Sequence, residues 1–192
     1  GRWAVFHEVI GQDMGAGRFA EVLKREISRN DWDKHTFKFV GDPAGNQMAQ
    51  TSEQTPFMIL RAAGINAQPA PSNDAIMRVE AVEGVLNRMS DGYPAMKISP
   101  SCVVLISGFE GGYQYKRTYN MGQERYDERP SKNRFSHIHD ALQYAFLGGG
   151  EGRRVVFGMA KSASHTTVER VGSPLTRQRK ARLARGRRVA GL

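Results

Sequence analysis

Cysteine is almost absent from this chain. Cys102 stands alone, which excludes an internal disulfide and a cysteine-based metal cluster, and suits a reducing compartment. Long apolar runs are missing too: no stretch approaches the ~20 residues of a membrane-spanning helix. The opening Gly-Arg-Trp-Ala-Val-Phe-His-Glu alternates like a strand, without the charged and then apolar segments of a secretory leader, so the chain is expected to begin inside a folded unit. There is no G-x-x-x-x-G-K-[ST], and Gly11-x-x-x-Gly15-x-Gly17 lacks the lysine of a phosphate loop, so nucleotide hydrolysis is not encoded. The five histidines never fall in H-E-x-x-H spacing and Ser101-Cys102 has no distinctive nucleophile setting, which argues against zinc and thiol hydrolysis.

Acid is the next scarcity, and it is local. Residues 1–152 hold 17 Lys+Arg and 18 Asp+Glu, whereas residues 153–192 hold 11 basic residues and the single acid Glu169. The formal +9 of the chain therefore belongs to its last forty positions. Lys161 to Leu192 has too little apolar surface to build a core and is expected to be disordered. From Arg170 to Arg188 eight basic residues meet no acid, so like-charge repulsion keeps the segment open and nucleic-acid phosphates are its natural counter-charge. Arg177, Arg179, Lys180, Arg182, Arg185, Arg187 and Arg188 are the candidate DNA contacts, and the lack of interleaved aromatics argues against base stacking. A solvated terminus with only nonspecific nucleic-acid affinity is the plain alternative.

What the first 152 residues do have is alternation of short strands with helices. Trp3 to Glu8 reads as a strand apolar on both faces and therefore inside a sheet. Phe19, Ala20, Leu23 and Ile27 predict an amphipathic helix over 16–28. Thr36 to Val40 reads as a strand, Pro56 to Ala63 as a short helix stopped by Gly64, and Ile65 to Pro69 as another strand. A helix over 75–89 follows, capped by Asn73 or Asp74, with the stripe Ile76, Val79, Val82, Leu86 and Met89. The β-α-β-α-β-α order argues for an α/β sheet flanked by helices. Pro100 suggests a further helix over Cys102 to Ile106, although Val103-Val104-Leu105-Ile106 alone suits a strand. Tyr113 to Thr118 suggests a short strand or hairpin. The last helix, about His137 to Leu147 with Ser136 as its cap, carries Ile138, Ala141, Leu142, Ala145 and Phe146 on one stripe and ends at Gly148-Gly149-Gly150.

Two aspartates sit where such elements begin or end. Asp42 follows the second strand and Asp140 opens the last helix, 98 positions later, so the pair can converge on one sheet edge. Two-metal phosphoryl chemistry needs shared carboxylates there, because ions ~3.5–4 Å apart repel each other strongly. Each aspartate also has an ordinary explanation: Gly-Asp-Pro is good turn chemistry, and a carboxylate in a first helical turn meets the positive end of the helix dipole. His137, three residues before Asp140 and on the same face, is a candidate proton donor or supporting group. Lys132 is a candidate phosphate ligand, and both residues are equally at home on a solvated surface.

In combination these segments resemble the nuclease domain of the large terminase subunit of tailed bacteriophages. The stretches that carry the resemblance are Gly41-Asp42-Pro43-Ala44-Gly45, Lys132 with Ser136-His137-Ile138-His139-Asp140-Ala141-Leu142-Gln143-Tyr144-Ala145, and Asp13-Met14-Gly15-Ala16-Gly17-Arg18-Phe19-Ala20. The resemblance covers about residues 1–152. It implies a ribonuclease H-like mixed sheet flanked by helices, followed by the basic tail at 153–192. It also implies a Mg2+- or Mn2+-dependent endonuclease using two ions, which cuts concatemeric viral DNA during packaging in the host cytoplasm. Asp42 matches the second acidic position of the family and Asp140 the last. The first, on an early strand with an Asp-x-Gly-like pattern, has no counterpart here, which leaves cleavage by this chain in question. Double-stranded viral DNA, the portal protein and the small terminase subunit are the implied partners. A resolvase- or transposase-type enzyme of the same fold, or a DNA- or portal-binding module with a vestigial acidic site, are the alternatives.

Overall fold

Along the first half of the chain short β segments and longer helices alternate, for reasons visible in the residues at their ends. In the computed structural model, which describes residues 1–48, 53–120 and 123–151, β1 is Trp3–Val5 and α1 is Ala16–Arg29. β2, Phe39–Gly41, runs into a 3-10 turn at Pro43–Asn46, and α2 spans Pro56–Ala62. Thr55 caps α2 by accepting the Met58 N–H, and Pro56 at the first position loses nothing for its missing donor. β3 is Ala67–Pro69 and α3 is Ala75–Leu86, whose first turn is capped by Asp74 Oδ1 on Met77 N at 2.9 Å. Then come β4 (Met89–Ser90), β5 (Tyr93–Pro94), β6 (Met96–Ile98), α4 (Val103–Ser107) with a π-turn at Gly108–Gly112, β7 (Tyr115–Asn120), β8 (Gln123–Pro130) and α5 (Ser136–Gly148). All the described residues belong to one unit, Gly1–Met159, and the basic tail with its candidate DNA contacts lies outside them.

Among the described residues the architecture is mixed α/β with five α-helices and small sheets. β1 pairs in parallel with β6 (Trp3 opposite Met96), and β2 in parallel with β3 (Phe39 opposite Ala67). β4–β5 and β7–β8 are antiparallel hairpins. This differs from the expected single mixed sheet: among the described residues every strand has one partner, and β1, expected inside a sheet, has a free edge. The strands of the two parallel pairs are three residues long, so each ladder carries few hydrogen bonds and depends on helix packing for its stability. Among the described residues, no helix is long and apolar enough to cross a membrane.

Two apolar clusters hold the elements. Val82, Val85, Leu105, Leu142, Phe146 and Leu147 form the first, covered by Trp3, Val5 and Ile98; Ala20, Phe57, Ile65 and Ala67 form the second, with Leu23, Phe39 and Leu60 against it. The α3 stripe is rotated from expectation. Val82 and Val85 are buried, but Ile76 is 69% exposed, and the helix ends at Leu86, leaving Met89 in β4. On α5, Leu142 and Phe146 are buried as expected, yet Ala141 and Ala145 face out while Ser136, His139, Gln143, Tyr144 and Leu147 are buried. Small apolar residues are permissive at the surface, and aromatic and polar side chains with partners took the inner positions. Ser136 is the first residue of α5 rather than its cap, and its hydroxyl donates back to the Asn133 carbonyl.

α5 ties both clusters together at its C-terminus. A Cβ on Gly148 would lie 2.6 Å from Val40 Cγ2, and one on Gly149 would collide with the Trp3 indole, so glycine is what lets β1 and β2 both reach the helix end. Lys38 donates to the Gly148 carbonyl there, a cation against the negative end of the helix dipole. Trp3 Nε1 and Arg88 converge on the Glu151 carboxylate, Arg88 Nη1 and Nη2 each at 2.8 Å. That pairing holds the Glu151 carboxyl below its ordinary range, with Arg88 the chief cause.

Candidate functional site: a carboxylate-lined cavity between β2 and α5

β2 ends at Gly41 because Pro43 cannot extend the ladder, and Asp42 at the break turns its side chain onto the next amide, Oδ1 accepting Ala44 N at 2.9 Å. The turn-forming explanation of Asp42 is thus met by one of its two oxygens. Asp140 sits one turn into α5, its side chain 16% exposed, and receives two cations. Arg78 Nη1 of α3 lies 3.2 Å from Oδ1, and Lys132 Nζ 2.7 Å from Oδ2.

Asp42, Asp140, Lys132 and Arg78 line one cavity of about 290 Å³, with Asn73, Tyr113 and Tyr144 completing the wall. Two carboxylates therefore face two cations. Tyr144, 4% exposed, donates its hydroxyl to Asn73 Oδ1 at 2.6 Å, and the Arg78 guanidinium lies over its ring at 4.8 Å. Burial drives the Tyr144 phenol far above its ordinary value; Arg78 pulls it down, and the Asp42 and Asp140 carboxylates push it further up. It acts as a neutral donor. Tyr113, raised likewise by burial, accepts from Gln143 Nε2 at 3.0 Å and stacks on His139 with ring centroids 4.4 Å apart.

His137 is exposed and borders a neighbouring cavity of about 330 Å³ that shares Asp42, Asp140 and Tyr144 with the first. Its helical spacing thus brings it to the same carboxylates, in the cavity that Lys132 does not line. The buried histidine of the motif is His139, 3% exposed, with Nε2 unpartnered and its pKa lowered chiefly by burial, so it stays neutral inside the packing.

Arg78, Asn73, Tyr113 and Tyr144 were not read as site residues from the sequence. Spacing carried a signal for two of them. Tyr144 is four residues after Asp140, one turn along the same face, and Arg78 lies four before Val82 and seven before Val85, on the packing side of α3. The expected α3 stripe instead placed its face over Ile76 and Val79, which concealed Arg78.

The carboxylates suit a hard divalent ion, since oxygen donors from two separate elements border one open space. Asp42 keeps one oxygen clear of the turn hydrogen bond, and Lys132, 73% exposed on a long stem, is readily displaced from Asp140. The donor set reaches no further: among the described residues there is no group of three or more His, Cys, Asp or Glu placed to hold a metal. The molecule is thus a mixed α/β domain with a two-carboxylate, two-cation cavity at the junction of a strand and its last long helix. Comparison with protein-family models, curated proteins and solved structures returned no match for the chain.

Proposed function

We propose that this chain is the nuclease domain of a viral terminase of ribonuclease H-like ancestry, a metal-dependent endonuclease that cuts concatemeric double-stranded phage DNA during packaging in the host cytoplasm. The supporting observation is that Asp42 and Asp140, 98 positions apart, line one cavity together with Lys132 and Arg78. Asp42 and Asp140 would hold Mg2+ or Mn2+, which supplies an activated water and charge neutralisation for phosphodiester hydrolysis. Lys132 offers a mobile ammonium to the phosphate, as a point charge at the cavity rim. Arg78, held by Asp140 and the Tyr144 ring, would fix the carboxylate's direction and keep positive charge beside the phosphoryl oxygens on which negative charge grows during attack. The neutral Tyr144, tied to Asn73, fixes the wall between the two aspartates.

Nicking of supercoiled plasmid in Mn2+ tests the reading. Metal-dependent cutting that disappears in both Asp42→Asn and Asp140→Asn supports it, and cutting at the parental rate in either variant overturns it. A DNA- or portal-binding module with a vestigial site is a second reading, favoured by the cations already on both Asp140 oxygens. Titration calorimetry separates the two: a module of that kind binds no Mn2+ at this pair, and the parental and Asp140→Asn chains then give identical traces. The portal protein and the small terminase subunit belong to either reading as docking partners.

A further inference from the structure

We propose that the Tyr113 hydroxyl is a hydrogen-bond donor to phosphate in the carboxylate cavity, with Gln143 as its positioning residue, a proposal that rests on the nuclease reading of that cavity. Two tyrosines line this space, and their hydroxyl protons have different fates. Tyr144 gives its proton to Asn73 Oδ1 at 2.6 Å. Tyr113 instead accepts one, from Gln143 Nε2 at 3.0 Å, and among the described residues its own proton meets no acceptor. Both Asp140 oxygens in the same cavity are already taken, by Arg78 and Lys132. The Tyr113 proton is therefore open to a ligand that enters.

The surroundings hold Tyr113 in that role. Gln143 is 3% exposed, and as placed it leaves one carbonyl oxygen, Oε1, without a partner. Turned round, the amide would accept the phenol proton but leave both of its hydrogens bare in the interior, and an unpaired buried donor is the rarer and costlier defect. The Tyr113 ring lies nearly flat on His139, at an interplanar angle of 9°, and Phe109 meets the same imidazole edge-on with ring centroids 4.6 Å apart. Tyr113 N donates to the Gly108 carbonyl at 2.9 Å. A Cβ on Gly108 would overlap His139 Nε2, so glycine there admits the imidazole on which the phenol stacks. Little beyond the O–H rotor is left free.

Phosphate is the ligand that suits this donor. Burial keeps the phenol protonated above its ordinary value; the Gln143 hydrogen bond, Arg78 and Lys132 pull it down and Asp140 pushes it up, so its oxygen lies in the field of the cavity's charges. Arg78, Lys132 and Tyr113 come from three separate segments around one space. A ligand that serves donors so arranged needs several acceptor oxygens spread about one centre. A phosphoryl group has them, one for a cation at the aspartates and others for Lys132 and Tyr113.

The test is calorimetric titration of inorganic phosphate into the full chain in Mg2+, for the parent and for Tyr113→Phe, which keeps the ring and its stack and removes only the hydroxyl. The variant should bind phosphate about tenfold more weakly, the loss of one hydrogen bond to a charged group. Gln143→Met keeps the phenol but frees its rotor, and should weaken phosphate by less. The Gln143 side-chain amide, identified as the pair of signals missing from Gln143→Met in 1H–15N spectra, gives a second readout: phosphate should shift it in the parent and leave it in place in Tyr113→Phe. If Tyr113→Phe fails to fold, the parent's amide decides, and an amide unmoved at saturating phosphate overturns the proposal. Equal phosphate affinity in parent and Tyr113→Phe, or no binding by the parent, overturns it too; plasmid nicking that vanishes in Asp42→Asn and Asp140→Asn would then leave the nuclease reading in place. Phosphate binding weakened in Tyr113→Phe, in a chain that never nicks DNA, would instead keep the donor and remove the nuclease. Parental affinity in Gln143→Met would overturn the positioning role.

Discussion

Arg78→Met isolates the cation that the structure places deepest in the cavity. Methionine keeps the apolar stem against Tyr144 and removes the guanidinium, so Asp140 loses the 3.2 Å contact on Oδ1 while Lys132 remains on Oδ2. Arg78 and Asp140 are 13% and 16% exposed, neither fully desolvated nor screened like a surface pair. A charge-assisted hydrogen bond in that setting, offset by the remaining lysine, is worth about 2 kcal/mol. For a domain of this size the loss corresponds to a fall in Tm of about 4–8 °C in EDTA, readable by differential scanning fluorimetry. A double-mutant cycle with Asp140→Asn separates the pair from the cation–π contact that Arg78 also makes with Tyr144, and should show coupling of about 1–2 kcal/mol. Removing the competing cation should also strengthen Mn2+ binding at Asp140, so the stabilisation by Mn2+ should be larger in the variant than in the parent. Effects that add to within about 0.3 kcal/mol, with no change in metal-induced stabilisation, would refute both the pairing and its place in the site.

Three further outcomes are expected. Gly148→Ala brings a Cβ to 2.6 Å from Val40 Cγ2, a β-branched side chain with little freedom to turn away, and should cost about 2 kcal/mol by urea denaturation. Because the displaced strand runs directly into Asp42, the same variant should also weaken Mn2+ binding. The Glu151 carboxyl is held below its ordinary 4.5 by Arg88 and Trp3, so its contribution to stability is complete above that value and is lost as pH falls through the lowered one. Glu151→Gln should flatten the pH dependence of Tm in that acid range, and an unchanged profile counts against the assignment. Deleting Ser162 to Leu192 removes eight of the 28 basic residues and should leave Tm unchanged while lowering duplex affinity and salt slope; equal isotherms across a KCl series would rule out a DNA role for the tail.

Element order was readable because the punctuation was strong. Thr55-Pro56 and Asp74 open α2 and α3 with caps that satisfy backbone donors, and Gly64 ends the α2 segment in a left-handed conformation that side chains resist. Helix rotation was less readable. On α3 the alanine at 81 and the valines at 82 and 85 formed a narrower buried face than the branched residues at 76 and 79 suggested, and the error hid Arg78. On α5 the polar residues His139 and Gln143 went inward because Tyr113 gives them a ring to stack on and a hydroxyl to donate to, partners more than twenty positions away. Pairing was the least readable: the strand at Trp3 shows its apolar faces in sequence but not the number of its neighbours. The two aspartates were visible from their places at element ends, whereas the cations engaging Asp140 include one from a helix 62 residues upstream.

The Lys132 ammonium can satisfy only one anion well at a time. At 2.7 Å from Asp140 it is engaged, yet it is 73% exposed and free to lean outward. A phosphate that draws it away leaves Asp140 Oδ2 bare, which favours cation entry; a cation seated at Asp140 leaves the lysine free, which favours phosphate. By linkage the two preferences must be equal in free energy, so each ligand should raise the affinity for the other by the same factor. Lys132 would then act as a removable counter-ion, keeping the empty cavity electrically balanced and making its loading with cation and polyanion a concerted event.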